Sequence, residues 1–246
     1  MKSFIAAIQF LTVIPFPKAY AAGERDLEKS VFFFPVVGLL IGLLIAGFGH
    51  AMDTLLPSFP ACVLVVILLM VVSGGLHMDG LADTADGFFS ARTRERILDI
   101  MKDSRIGVMG TIAVICAILL KVSLLVSLSV SLRPGIILLM PLAGRCAIVV
   151  MMTFLPYVRS EGGLASVFVK SRSRLHAVWA AVFLIIAGAL TAQWMGLAAG
   201  LVTLAVTALF SLYSFRKIGG YTGDTLGAVC EIAEMVPVLV AVAWGR

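Results

Sequence analysis

The chain has 246 residues, 61% of them hydrophobic and 13% charged, with a formal net charge of +5. Apolar runs of about 20 residues, each long enough to cross a hydrocarbon core about 30 Å thick, recur along nearly its whole length, which excludes an ordinary soluble domain. A transmembrane β-barrel is excluded by the absence of period-2 alternation, and nucleic acid is not an expected partner, because excess Lys and Arg in such a chain mark cytoplasmic loops.

The first element, MKSFIAAIQFLTVIPFP, has the Lys2 and short apolar core of a signal peptide. It lacks a small-residue cleavage site, and Pro15 and Pro17 end it early. It is predicted to remain as a short re-entrant or interfacial helix. Spans are predicted near 31–51, 60–76, 106–130, 135–157, 175–194, 198–215 and 227–244. The fold class is therefore all-α: one membrane-embedded domain over 1–246, a polytopic bundle of about seven transmembrane helices lying in the lipid bilayer.

The connections fix its orientation. Segments 17–30, 77–105, 158–174 and 216–226 hold fourteen of the nineteen basic residues, whereas the alternate connections offer only Arg133 and Arg246. Seven spans put the four basic connections on one face, which the positive-inside rule makes cytoplasmic. The four cysteines stand singly in or beside apolar runs, without CxxC spacing, and read as small buried hydrophobes rather than zinc ligands or disulfide partners.

Six of the fourteen acidic residues fall into two clusters on that face. In GGLHMDGLADTADG, a helix starting after Gly74–Gly75 places Asp79, Asp83 and Asp86 within an arc of about 60°. In GGYTGDTLGAVCEIAE, Asp224, Glu231 and Glu234 span roughly 80° of a helix face, with Gly220, Thr222 and Gly227 as candidate substrate contacts where backbone and ligand approach. The two stretches share the pattern GGxxxDxL, as parallel half-sites would. Acids in a first helical turn complement the helix dipole, which covers Asp79 and Asp224. Glu231 and Glu234 lie two or three turns inside an apolar run, where a charge costs about 2.5–3.5 kcal/mol. Paired carboxylate faces without a His or Cys cluster suit Mg²⁺, which takes carboxylates together with substrate phosphates.

ARTRERILDIMKDSRIGVMG adds Arg92, Lys102, Asp103 and Arg105, the cations that phosphoryl transfer uses beside metal-binding acids. His77 is either a general base or substrate contact or an interfacial structural residue. Arg145, about ten residues inside a span, is a functional candidate as an intramembrane charge, and Lys121 is left to pair with a neighbour.

HMDGLADTADGFFSARTRERILDIMKDSRIGVMG, GRCAIVVMMTFLPYVRSEGGL and GGYTGDTLGAVCEIAE, in this order and spacing, closely resemble the cobalamin synthase family, adenosylcobinamide-GDP ribazoletransferases of prokaryotic membranes. The resemblance covers essentially the whole chain. It implies a multi-pass enzyme of the bacterial inner membrane whose active site faces the cytoplasm. Its substrates would be a corrinoid-GDP and α-ribazole or its 5′-phosphate, with release of GMP. It also implies Mg²⁺ as cofactor, other late cobalamin-pathway enzymes as partners, and a homo-oligomer as one assembly state. On that reading Asp79, Asp83, Asp86, Asp224, Glu231 and Glu234 hold the metal, Lys102 and Arg105 stabilise phosphate charge, and His77 or a carboxylate takes the acceptor's proton. Arg92, Asp103 and Arg145 would contact substrate. A CDP-alcohol phosphotransferase shares the chemistry, but DGFFSAR has one residue too many for its DGxxAR signature. A secondary transporter would use the Gly-interrupted segments as broken helices, but it would place its site near the midplane.

Overall fold

The computed structural model describes residues 2–17, 23–159 and 164–245. Its helices are α1 (Lys2–Leu11), α2 (Glu24–Ser30), α3 (Phe34–Leu55), α4 (Ser58–Val72), α5 (Leu76–Phe88), α6 (Arg94–Ile100), α7 (Val108–Ser127), α8 (Arg133–Phe154), α9 (Arg174–Ile218) and α10 (Gly223–Trp244). A 3-10 turn (Val31–Phe33) precedes α3, and a 3-10 helix (Leu164–Ser171) precedes α9. Among the described residues, the nearest thing to a sheet is one parallel bridge between Tyr157 and Tyr221. Lys18 and Arg246, two of the counted basic residues, lie outside the described residues.

Among the described residues, five helices are long and apolar enough to cross a membrane, or six if α4 and α5 are one bent span. The all-α membrane bundle stands, but that measure does not reach the predicted seven. One reason is that α4 has only 15 residues. The other is that the predicted spans 175–194 and 198–215 both fall within α9, 45 residues of continuous helical assignment. A straight helix of that length would reach about 67 Å, twice the hydrocarbon thickness. It does not run straight: Ala192 and Gln193 leave helical geometry, and the Gly188 and Gly196 backbones meet so closely that no Cβ fits at either. Gly200 likewise faces Ile185. The two limbs thus lie antiparallel, and Gln193, with φ +50°, marks the reversal.

The centre of the bundle is α8, lined on nearly every turn by buried residues from Arg133 to Met152. α3 packs antiparallel on it, with Gly38 beside Leu142 and Gly42 against the Leu138 carbonyl. α10 packs on the other side, where Gly144 meets Cys230. Leu175, Leu190, Leu209 and Val108 point outward from α9 and α7 as a lipid-facing surface. At the end away from the basic connections, the buried Arg133 pairs with Asp53. α1 buries Ala6, Ala7 and Leu11 and ends with the Val13 amide donating to the Val72 carbonyl at 2.9 Å. It therefore docks on the bundle as a short helix, as predicted.

Two glycines then set the geometry of the site. Gly74 and Gly75 take φ of +62° and +75°, a left-handed conformation that glycine adopts without penalty. α5 consequently leaves α4 at 88°. We read α5 as lying across the face that carries the basic connections, outside the spanning segments.

Candidate active site

α5 and α10 cross in near backbone contact. A methyl added at Gly80 would lie 2.7 Å from the Asp224 carbonyl oxygen, and one at Gly227 would lie 3.0 Å from that of His77. This crossing brings Asp224 to the ridge of Asp79 and Asp83, so three of the predicted acids from both half-sites share one place. Their neighbours are structural. Thr222 caps α10 in a capping box with Thr225, although its hydroxyl also donates to Asp224 Oδ2 at 3.2 Å. Gly220 packs against the Pro156 carbonyl with no room for a Cβ. Gly227 both lines the cavity and serves the helix crossing.

Arg159 is a site residue that the sequence reading counted only as loop charge. The bridge between the two connections, with Val158 donating to Tyr221 at 3.1 Å and Tyr221 donating to Pro156 at 2.9 Å, carries Arg159 to the start of α10. There its Nη2 donates to Asp224 Oδ2 at 2.5 Å and to the Met101 carbonyl at 3.2 Å. Its buried Nε has no partner among the described residues. No local pattern announces this, because the signal is a pairing between segments 60 residues apart.

Asp79, Asp224, Arg159 and His77 form the polar wall of a cavity of about 210 Å³. Asp83 stands next to them on α5. Burial, with the Asp224 and Asp79 charges adding to it, pushes its carboxyl up to about 7. A carboxylate crowded by like charges is the environment that a divalent cation relieves. Among the described residues no three His, Cys, Asp or Glu side chains close around one point. The fit is therefore to a metal held by one or two carboxylates and completed by phosphate oxygens, the usual manner of Mg²⁺.

Asp86 departs from its expected place as a ligand. Its two oxygens accept from the amides of Gly107 (2.7 Å) and Gly110 (2.8 Å) at the start of α7, satisfying donors that a helix N-terminus leaves unpaired. Asp86→Ala is expected to lower the unfolding midpoint in detergent, with a loss of about 1 kcal/mol as for other helix caps. A thermal melt followed by circular dichroism checks it. Asp86 also borders a second, smaller cavity with Asp103 and Arg105. Those two residues hold each other at 2.6 Å, and the Arg105 hydrogen bonds keep Asp103 down at about 2. Arg105 is 86% exposed, and Arg92 and Lys102 are exposed too, so none of these cations lines the cavity that holds Asp79 and Asp224.

Glu231 and Glu234 are the largest correction. They lie deeper along α10 than Asp224 and take part in a buried ionic cluster. Lys121 Nζ donates to Glu231 at 2.6 Å and to Glu234 at 2.7 Å, and Arg145 Nη1 donates to Glu234 at 2.5 Å. All four side chains are at most 5% exposed. Seven residues of helix put Glu231 about 10 Å deeper than Asp224. The cost of acids in an apolar run, read as a sign of metal binding, is met by two cations from α7 and α8. Arg145 Nη2 also reaches His77 Nδ1 at 3.5 Å, the outer limit of a hydrogen bond. Since arginine only donates, that contact makes Nδ1 an acceptor and leaves the ring proton on Nε2. His77, 3% exposed, is thereby set to donate to a ligand rather than to take a proton from it.

Known proteins match the chain over nearly its whole length. The profile described as cobalamin-5-phosphate synthase matches residues 3–242. Curated relatives named adenosylcobinamide-GDP ribazoletransferase include one from Geotalea daltonii, 36% identical over all of this chain and 98% of its own. Another, from Desulforamulus reducens, is 39% identical over 93% of this chain and 91% of its own. A third, from Acetivibrio thermocellus, is 36% identical over 95% and 94%. No solved structure matches the chain. A profile match from end to end, carried on a bundle whose aspartates converge at one face, places the chain in the cobalamin-5-phosphate synthase family.

Proposed function

We propose that this chain is an adenosylcobinamide-GDP ribazoletransferase working at the cytoplasmic face of the bacterial inner membrane. A hydroxyl of α-ribazole, or of its 5′-phosphate, attacks the phosphorus nearer the corrinoid. One P–O bond forms, the bond to GMP breaks, and GMP leaves with the electron pair. The observation that carries this reading is the convergence of Asp79, Asp224 and Arg159 at one cavity, with Asp83 close enough to feel both acids, in a chain whose full-length relatives bear that name.

Mg²⁺ held by one or two of Asp79, Asp83 and Asp224 and completed by phosphate oxygens would supply charge neutralisation on the diphosphate and on the departing GMP. The chain's own residues do the rest. Arg159, its Nε buried without a partner among the described residues, turns from Asp224 towards a phosphate oxygen. His77 donates from Nε2, and an aspartate takes the acceptor's proton. Lys102 and Arg105 draw the anionic donor to the mouth. The apolar surroundings exclude water, the competing nucleophile.

The test is purified protein in detergent, given corrinoid-GDP, α-ribazole and Mg²⁺, with GMP and looped corrinoid measured with and without EDTA. Looped product that EDTA abolishes is expected; well-folded protein with no turnover overturns the reading. A pH dependence follows. Asp83 holds a proton up to about pH 7 in the metal-free protein, and ligands bind metal deprotonated. Apparent Mg²⁺ affinity is expected to rise between pH 6 and pH 8, by up to about tenfold per unit below 7. The sign for stability is opposite: folded Asp83 keeps a proton that the unfolded chain loses near 4, so metal-free protein loses stability as pH rises from about 4 to 7. Calorimetric titration at three pH values checks the first, and Asp83→Asn removes the slope.

A further inference from the structure

The cavity that carries the aspartates has a lining of two unlike kinds. Besides the polar groups, its lining holds Phe10 of α1, Phe34 of α3 and Phe168 of the 3-10 helix, with Ile148 and Met152 of α8. The three rings touch one another. Phe10 and Phe168 meet edge to face with centroids 4.8 Å apart, Phe34 and Phe168 likewise at 5.6 Å, and Phe10 and Phe34 stack at 5.7 Å. The phenylalanines and the isoleucine neither donate nor accept a hydrogen bond, the Met152 sulfur is only a weak acceptor, and Tyr157 adds the one side-chain hydroxyl of the lining. Phe10 belongs to the N-terminal helix, so α1 completes the cavity wall as well as covering the bundle.

We infer that this aromatic part of the cavity is the base-binding pocket for the acceptor nucleoside, holding the apolar bicyclic base of α-ribazole while its ribose lies against His77, Asp79 and Arg159. The inference rests on the transferase reading and assigns the cavity to one of its two substrates. The argument is elimination by chemistry. A guanine base presents a polar edge with several donors and acceptors. Buried against phenylalanine, isoleucine and methionine it would leave them unpaired, a loss that sites built for polar bases avoid. A benzimidazole-type base has little such edge to lose and offers a π face to the rings. Size decides the rest. About 210 Å³ lies below the usual range of ligand pockets, so it admits a nucleoside-sized group and not a corrin macrocycle with its amide arms. The donor must then approach from the open side, along the Asp79–Asp83 ridge and past Arg105. That arrangement sets acceptor hydroxyl and donor phosphorus on either side of the metal-binding aspartates.

The experiment compares wild type with Phe10→Ala and Phe168→Ala in two measurements. Steady-state kinetics should show the KM for α-ribazole raised about tenfold in each variant, with the KM for corrinoid-GDP unchanged. Equilibrium dialysis of labelled α-ribazole, without donor or Mg²⁺, should show binding by wild type that the variants weaken by the same factor and that guanosine does not displace. Phe168→Leu, which keeps apolar volume without the ring, should fall between and serves if an alanine variant fails to fold. An unchanged acceptor KM, a raised donor KM instead, or displacement by guanosine overturns the pocket assignment while leaving the transferase reading standing. Binding of α-ribazole without any turnover by wild type would instead overturn the transferase reading and keep the pocket.

Discussion

Asp83→Asn is expected to lower turnover by about three orders of magnitude, or ~4 kcal/mol of transition-state stabilisation, and to leave the protein folded. The carboxylate is half-buried beside Asp79 and Asp224, and on the proposed mechanism it holds a cation against a diphosphate, a task that an amide cannot perform. Above about pH 7, removing its charge also relieves repulsion among the three aspartates. The metal-free variant should therefore unfold at the wild-type temperature or slightly above it, while losing the stabilisation that added Mg²⁺ gives the wild type. Asp224→Asn should cost similar activity but also some stability, since Arg159 loses its ion pair at 2.5 Å. Melting curves with and without Mg²⁺, alongside GMP release, separate the two. Full activity in Asp83→Asn would remove the ridge from the mechanism.

Glu234→Ala has the larger effect on folding. Its carboxylate lies between Lys121 and Arg145, and all three are buried. Truncation leaves Glu231 alone against two cations in an apolar interior, and breaking a buried pair from one side costs about 3–5 kcal/mol. The variant should be recovered from membranes in low yield and aggregate on extraction. Removing charge from both sides is expected to be milder: Lys121→Met combined with Glu231→Gln leaves Arg145 and Glu234 matched. Size-exclusion profiles of the single and double variants in the same detergent test this. A well-behaved Glu234→Ala protein would show the cluster to be dispensable.

The two substitutions mark where sequence reading succeeded and where it stopped. Apolar length gives the helical bundle, because lipid leaves the backbone few alternatives. GGLHMDGLADTADG and GGYTGDTLGAVCEIAE led to Asp79, Asp83 and Asp224, since short-range periodicity is enough to gather acids on one face. Long-range pairing was not readable. Glu231 and Glu234 carry the right side chains at the right spacing, yet their partners come from α7 and α8, more than 80 residues away. Asp86 lies on the correct face but is drawn to the amides of Gly107 and Gly110. Arg159 reaches the site only because two loops form a single bridge. Lys121, left without a role, proves to be the partner of both glutamates.

That cluster has a consequence for how the protein is made. Ribosomal synthesis delivers α7, with Lys121, and then α8, with Arg145, well before α10, with Glu231 and Glu234. Until the last helix arrives, two cations sit in lipid without partners, each at a penalty of about 2.5–3.5 kcal/mol. The nascent bundle is thus an unfinished intermediate that α10 completes, bringing the counter-charges and Asp224 together. A chain that stops before residue 223 would therefore lack the catalytic face and also carry a lasting mark of incompleteness, available to the proteases that clear the membrane of partial products.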